Sequence, residues 1–310
     1  MPSPRSLTRR HLLRNTSALL LASTLPGRLL AETPLKPLEV ASAGALRSLL
    51  EGPLATAAAA QLQLQLHEHA GGADAVAQQI LSQSLHPDLF LSVTATPMQS
   101  LLHAGLASQA LPIARSELVL TYSAKSRFAP LFAQVASGKL PWWKAVQQPG
   151  LKIGRGNPAA DPGARCFLFA MMLAEKHYNL PGFAERLLGP AQNPAQLLPN
   201  VPALLQSGEI DLSASYKMSA IASATPFLPL APEINLSQTS VATANPDIAL
   251  DLDGRHFRPD PIVFYAAALS SAPSPAAAQS FLHWLLTPET QSIFSSHSFE
   301  SASGLPVLTA

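Results

Sequence analysis

The feature that most constrains this chain is a regular alternation of strand and helix signals between residues 38 and 92. Residues 38–41 read as a short buried strand that ends in the small-residue run Ser42-Ala43-Gly44-Ala45. A helix is expected over 46–61. Leu62-Gln63-Leu64-Gln65-Leu66-His67 then alternates strictly between apolar and polar, the period of a half-buried strand. A turn at Ala70-Gly71-Gly72 leads into a helix over 73–84, and Pro87-Asp88-Leu89-Phe90-Leu91-Ser92 is a third strand. Strands separated by helices at this spacing imply a parallel sheet. Ligands of such sheets bind beyond the carboxyl ends of the strands. The loops at 42–45, 71–73 and 92–94 fall at those ends. Each is rich in small residues, which lets several backbone N–H groups approach one point.

A second αβ region follows. Residues 117–122 form a strand that crosses into it, 151–154 form a further strand, 208–216 read as a helix end, turn and strand, and 227–230 forms a strand that returns. Gly154-Arg155-Gly156-Asn157-Pro158-Ala159-Ala160-Asp161-Pro162-Gly163-Ala164-Arg165 precedes an apolar helix over 166–178. Asp161 stands where an N-cap belongs, and Pro162 stands at the first helical position, where its missing N–H costs nothing. A strand over 261–267 and a helix over 274–286 complete the pattern.

The N-terminus is expected to be removed. Arg9-Arg10-His11-Leu12-Leu13 precedes the apolar run 18–25, an arrangement that resembles a twin-arginine export signal. That run is shorter than the roughly 20 residues that span a membrane. Cleavage is expected near Ala31. Without residues 1–31 the chain loses five arginines and no acid, which leaves 15 basic against 19 acidic residues, a formal charge of −4. A nucleic-acid partner is therefore not expected, since phosphate backbones require a positive surface. The single cysteine, Cys166, excludes an internal disulfide. A hydrophobic content of 47% with 13% charged residues indicates a globular chain. The Gly-x-Ser-x-Gly, His-Glu-x-x-His and P-loop motifs are absent, and no enzymatic activity or cofactor is expected. Trp142-Trp143 reads as a core anchor. His67 and His69 share a strand face and could pair on a metal, and Tyr122, Tyr216 and Tyr265 could supply phenolates to ferric iron, but a surface strand end accounts for the first set and ordinary packing for the second.

The order of elements, together with several short motifs, resembles the periplasmic solute-binding proteins of ABC transporters with the type II fold, and within them the molybdate/tungstate-binding branch. Ala43-Gly44-Ala45-Leu46 is similar to that branch's Ala-Gly-Ser-Leu. Gly72-Ala73 before Val76-Ala77-Gln78-Gln79-Ile80 is similar to its Gly-Ser helix start, and residues 87–92 to its Pro-Asp-Val-Phe-x-Ser. Asn157-Pro158 with Asp161-Pro162-Gly163, Leu173-Ala174-Glu175 with Tyr178-Asn179, and residues 230–237 also fit.

The resemblance implies an α/β, two-lobed architecture in which each lobe is a mostly parallel sheet flanked by helices, joined by two crossover strands. Residues 32–114 and 239–310 would form one lobe and 115–238 the other. It implies a periplasmic protein, acting as a monomer, that closes on a small oxyanion and passes it to a permease in the cytoplasmic membrane. The implied ligand-binding residues are Ala45, Ala73, Ser92, Asp161, Ser215 and Tyr216. Ala45 and Ala73 replace two serines of the family, and Ser215 falls near a missing second carboxylate. Ser42, Ser92, Thr94 and Lys217 are candidate substitutes for the lost hydroxyls. These replacements open an alternative: a binding-fold descendant with a changed ligand that acts as a sensor or partner-binding module.

Overall fold

A computed structural model describes residues 34–310 of the chain; the expected export signal and its cleavage site lie outside them. Three parallel strands build one half of a six-stranded sheet. β1 (Lys36–Ala43) lies between β2 (Leu64–Gly71) and β3 (Leu89–Val93) and is parallel to both. β3 is buried along its whole length, as expected of an apolar strand covered on both faces. The other half comprises β4 (Gln109–Arg115), β10 (Val263–Ala268) and β11 (Leu308–Thr309), in the order β11-β4-β10-β3-β1-β2. A second sheet contains β5 (Leu118–Tyr122), β6 (Leu212–Tyr216) and β7 (Phe227–Pro229), with β5 in the middle. A hairpin of β8 (Leu250–Leu252) and β9 (Arg255–Phe257) turns at Asp253-Gly254, both at positive φ.

The sheets are less parallel than the resemblance implies. β5 runs antiparallel to both β6 and β7, and β10 runs antiparallel to both β3 and β4. β5 and β10 are the first strands of the two main sheets that the chain enters after passing from one sheet to the other. The expected strand at 151–154 is reduced to a parallel bridge between Ile153 and Leu212.

β5 and β7 both pair within the second sheet. The passages lie beside them. Ser116 N donates to Ile262 O, Leu118 N to Asn235 O, and Ile262 N to Leu236 O, which ties the outgoing and returning segments together. The fully buried Asn235 adds a side-chain bond from Nδ2 to Glu117 Oε2 (2.8 Å).

Local chemistry explains the other boundary differences. The helix expected over 46–61 is broken at Gly52, because Pro53 starts a new helix, Pro53–Leu62, and disfavours helical backbone in the residue before it. β2 starts two residues late, after Gln63 caps that helix in the left-handed region, and runs on through the expected turn to pair Gly71 with Ala43. Two of the family-like motifs are structural. Asp88 accepts from Glu39 N (2.9 Å) and Ser274 N (2.5 Å), joining β1 to the start of helix Pro275–Trp284. Glu175 accepts from Gly182 N and Ala184 N, holding the start of helix Phe183–Leu188. Trp142 is buried edge-on to Trp143, Tyr178 and Phe183, as a core anchor should be. Among the described residues no helix is long and apolar enough to cross a membrane.

Candidate functional site

The carboxyl ends of β1, β2 and β3 open on one cavity of about 880 Å³. Ala43, Gly44, Ala45, Gly71, Gly72, Ala73 and Val93 form this wall. The opposite wall comes from Asp161, Gly163, Ala164 and the strand Ser213–Tyr216. Helix starts therefore face the cavity from both sides: Ala73–Leu81 from one, Pro162–His177 and Lys217–Ala222 from the other. Ala73–Leu81 starts without a side-chain cap and presents free N–H groups and the positive end of its dipole, whereas Asp161 takes the Gly163 N–H and Lys217 N donates to Glu117 O.

Asp161 caps its helix as expected. Its Oδ1 accepts from Gly163 N (2.9 Å), and its backbone N–H donates to Asn157 O. Its Oδ2 lies against Gly156, where an added Cβ would sit 2.8 Å away. Burial raises the Asp161 pKa, only partly offset by the Gly163 N–H and by Arg165. Tyr216, 8% exposed, lines the cavity, and its Oη is buried without a hydrogen-bond partner. Burial, with Cys166 and Asp161 nearby, pushes the phenol well above its usual range, so it stays protonated as a donor.

Five of the six expected residues, Ala45, Ala73, Asp161, Ser215 and Tyr216, line this one cavity. Ser92 lies outside the lining. It is fully buried within β3 and its Oγ donates to Val93 O (3.1 Å), because strand alternation turns it inward opposite Tyr265. The candidate substitutes for the lost hydroxyls are also engaged or absent from the lining. Ser42 Oγ donates to Glu68 Oε1 (2.5 Å), Lys217 Nζ pairs with Glu117 (2.8 Å), and Thr94 is buried outside the lining. Of the three tyrosines only Tyr216 reaches the cavity. His67 bonds Glu39 and His69 bonds Gln79, and no group of three metal-ligating side chains occurs among the described residues.

The sequence pattern did not point to an ionic cluster beside the cavity. Asp74, in the first turn of helix Ala73–Leu81, accepts from Arg165 Nη2 (2.6 Å) and pairs with Arg255 Nη1 (3.4 Å). Arg165 also donates to Pro158 O, Arg255 donates to Ala159 O, and both guanidinium groups lie over the Phe257 ring. The Asp253-Gly254 hairpin turn was the one local signal that could have placed Arg255.

The two walls also meet at Gly72. Its φ of −62° suits any residue, but an added Cβ would stand 2.6 Å from Ala160 O. Gly72→Ala is expected to force the 160 loop away at a cost of about 1–3 kcal/mol. Ligand affinity should fall roughly tenfold in calorimetric titration; wild-type affinity would show that binding does not need this contact.

The chain matches the family model described as bacterial extracellular solute-binding protein over residues 38–300. It is similar to a solute-binding protein of Petrotoga mobilis, 24% identical over 74% of this chain and 72% of that one. It is likewise similar to the molybdate/tungstate-binding protein WtpA of Thermococcus kodakarensis, 24% identical over 58% of this chain and 57% of that one. The periplasmic molybdate-binding protein of Azotobacter vinelandii shares its fold, with a TM-score of 0.57 and 20% identity over 87% of this chain and 99% of that one. The architecture is thus the two-lobed type II fold of periplasmic binding proteins, and the matched family consists of transporter binding proteins rather than enzymes. With helix starts from both sides facing one cavity, and the family match running from β1 almost to the C-terminus, the chain belongs to the bacterial extracellular solute-binding proteins.

Proposed function

We propose that this protein is the extracytoplasmic binding component of an ABC importer and holds a tetrahedral oxyanion group, of the molybdate or tungstate kind, between lobes 32–114 with 239–310 and 115–238. It would be exported, act as a monomer, and deliver its ligand to a permease in the cytoplasmic membrane. One observation carries the anion: helix starts from both walls line the same cavity, with the unpartnered Tyr216 Oη buried in its wall. The relatives named for molybdate and tungstate support the same ligand chemistry.

Isothermal titration of the purified protein with molybdate, tungstate, sulfate and inorganic phosphate tests this. A saturable heat is expected for at least one of them, and no heat from any would overturn the oxyanion.

The pH dependence follows from Asp161. Its pKa is raised by burial, and an anion beside it favours the protonated, neutral carboxyl still further. Binding therefore takes up a proton, and affinity should rise as pH falls through the raised Asp161 pKa. Sulfate, which does not titrate in this range, is the suitable probe. Cys166 and Tyr216 are pushed upward and stay neutral. Glu51 and His297 also lie on the cavity. Asp161→Asn, which keeps the cap, should flatten the profile, and a profile that persists would move the effect to Glu51 or His297.

A further inference from the structure

We propose that the ligand is an organic anion, a tetrahedral oxyanion head carrying an apolar body, rather than a bare inorganic ion. This rests on the oxyanion reading above and specifies its substrate class. Size is the first argument. The cavity of about 880 Å³ lies in the range of about 300–1,000 Å³ that holds drug-sized molecules. At a liquid share of about 30 Å³ per water, a bare ion would leave space for some two dozen waters or more. A site that selects a small ion by replacing its hydration shell needs a closer fit than that.

The lining is the second argument. Leu198, Val201, Pro202 and Leu205 form an apolar stretch along the start of helix Val201–Ser207, and Phe167 and Met218 extend it. None of these groups can bond an inorganic oxyanion. A hydrocarbon body laid against them would remove apolar surface from water on both sides. At Ala45 and Ala73 methyl groups stand where hydroxyl donors would hold a bare ion, so the head keeps backbone N–H groups and Tyr216 Oη but loses two side-chain bonds.

Charge is the third argument. Two arginines line the cavity among the described residues, and both are engaged. Arg155 is 2% exposed and donates to Pro190 O, Ala191 O and Gln196 Oε1, and Arg47 donates to Ala70 O. Glu51 and Asp161 also lie on the lining. With Arg155 held by three internal acceptors and Arg47 by Ala70 O, the apolar wall contributes to affinity.

Phenyl phosphate against inorganic phosphate is the direct probe, titrated calorimetrically at one pH. Phenyl phosphate is expected to bind at least tenfold more tightly, with a negative heat-capacity change that phosphate lacks. Val201→Asp should weaken phenyl phosphate at least tenfold. Equal affinity for the two probes, or tighter binding of inorganic phosphate, would overturn the organic body and leave the oxyanion intact. Phenol binding as tightly as phenyl phosphate would overturn the anionic head. No binding of either phosphate would overturn the organic body, while the four-ion titration above decides the oxyanion separately.

Discussion

Asp74→Ala is expected to lower the stability of the folded protein by about 3–5 kcal/mol, the usual consequence of removing one partner of a buried ion pair. The Asp74 and Arg165 side chains are 3% and 5% exposed, and their atoms lie 2.6 Å apart. Without Asp74 the Arg165 guanidinium keeps its bond to Pro158 O and its place over Phe257, but its charge is left buried without a counter-charge. Arg255, 37% exposed, can turn to water and should contribute little to the loss. Asp74 starts a helix packed on the six-stranded sheet, and Arg165 lies in the helix packed on β5 and β6, so the pair joins the two walls of the cavity. The variant should therefore weaken ligand binding as well as folding. Urea denaturation at neutral pH measures the first and titration the second. A denaturation midpoint within error of wild type would show that the cluster is solvated or dispensable.

Tyr216→Phe is expected to act with opposite signs on stability and on binding. The ring sits edge-on to Phe264 at 6.0 Å, and phenylalanine preserves that contact. The lost hydroxyl has no protein partner, and a buried unpaired polar group costs about 1–3 kcal/mol. The unliganded variant should thus be as stable as wild type or more so, by about 1 kcal/mol. Binding should weaken, because a hydrogen bond to a charged group is worth about 1.5–3 kcal/mol, or roughly ten- to a hundredfold in affinity. Thermal melting without ligand and calorimetric titration separate the effects. A variant that is destabilised and binds normally would make the phenol a structural group.

Much of the site was legible because its signals are local. The small residues after β1 and β2, and the Asp-Pro-Gly start at 161–163, each lie within a few positions of the element they terminate or cap, and all but Pro162 line the cavity. Ser92 failed for a local reason too. It is the next-to-last residue of β3, and strand alternation sends it into the sheet while Val93 reaches the cavity. The ionic cluster was illegible for a different reason. Asp74 is 91 positions from Arg165 and 181 from Arg255, and nothing in the surrounding residues marks them as partners.

By itself, the sequence determined the alternation of strands and helices, the small-residue loops at the strand ends and the capped helix start at Asp161. These follow from the backbone geometry and side-chain bonding of neighbouring residues. Only the tertiary structure decided that β5 and β10 run against their neighbours, that the tyrosine at 216 alone of three faces the cavity, and that Asp74, Arg165 and Arg255 meet. Strand direction depends on how the chain passes between the sheets, and a buried charge is tolerated only where distant elements bring its partners.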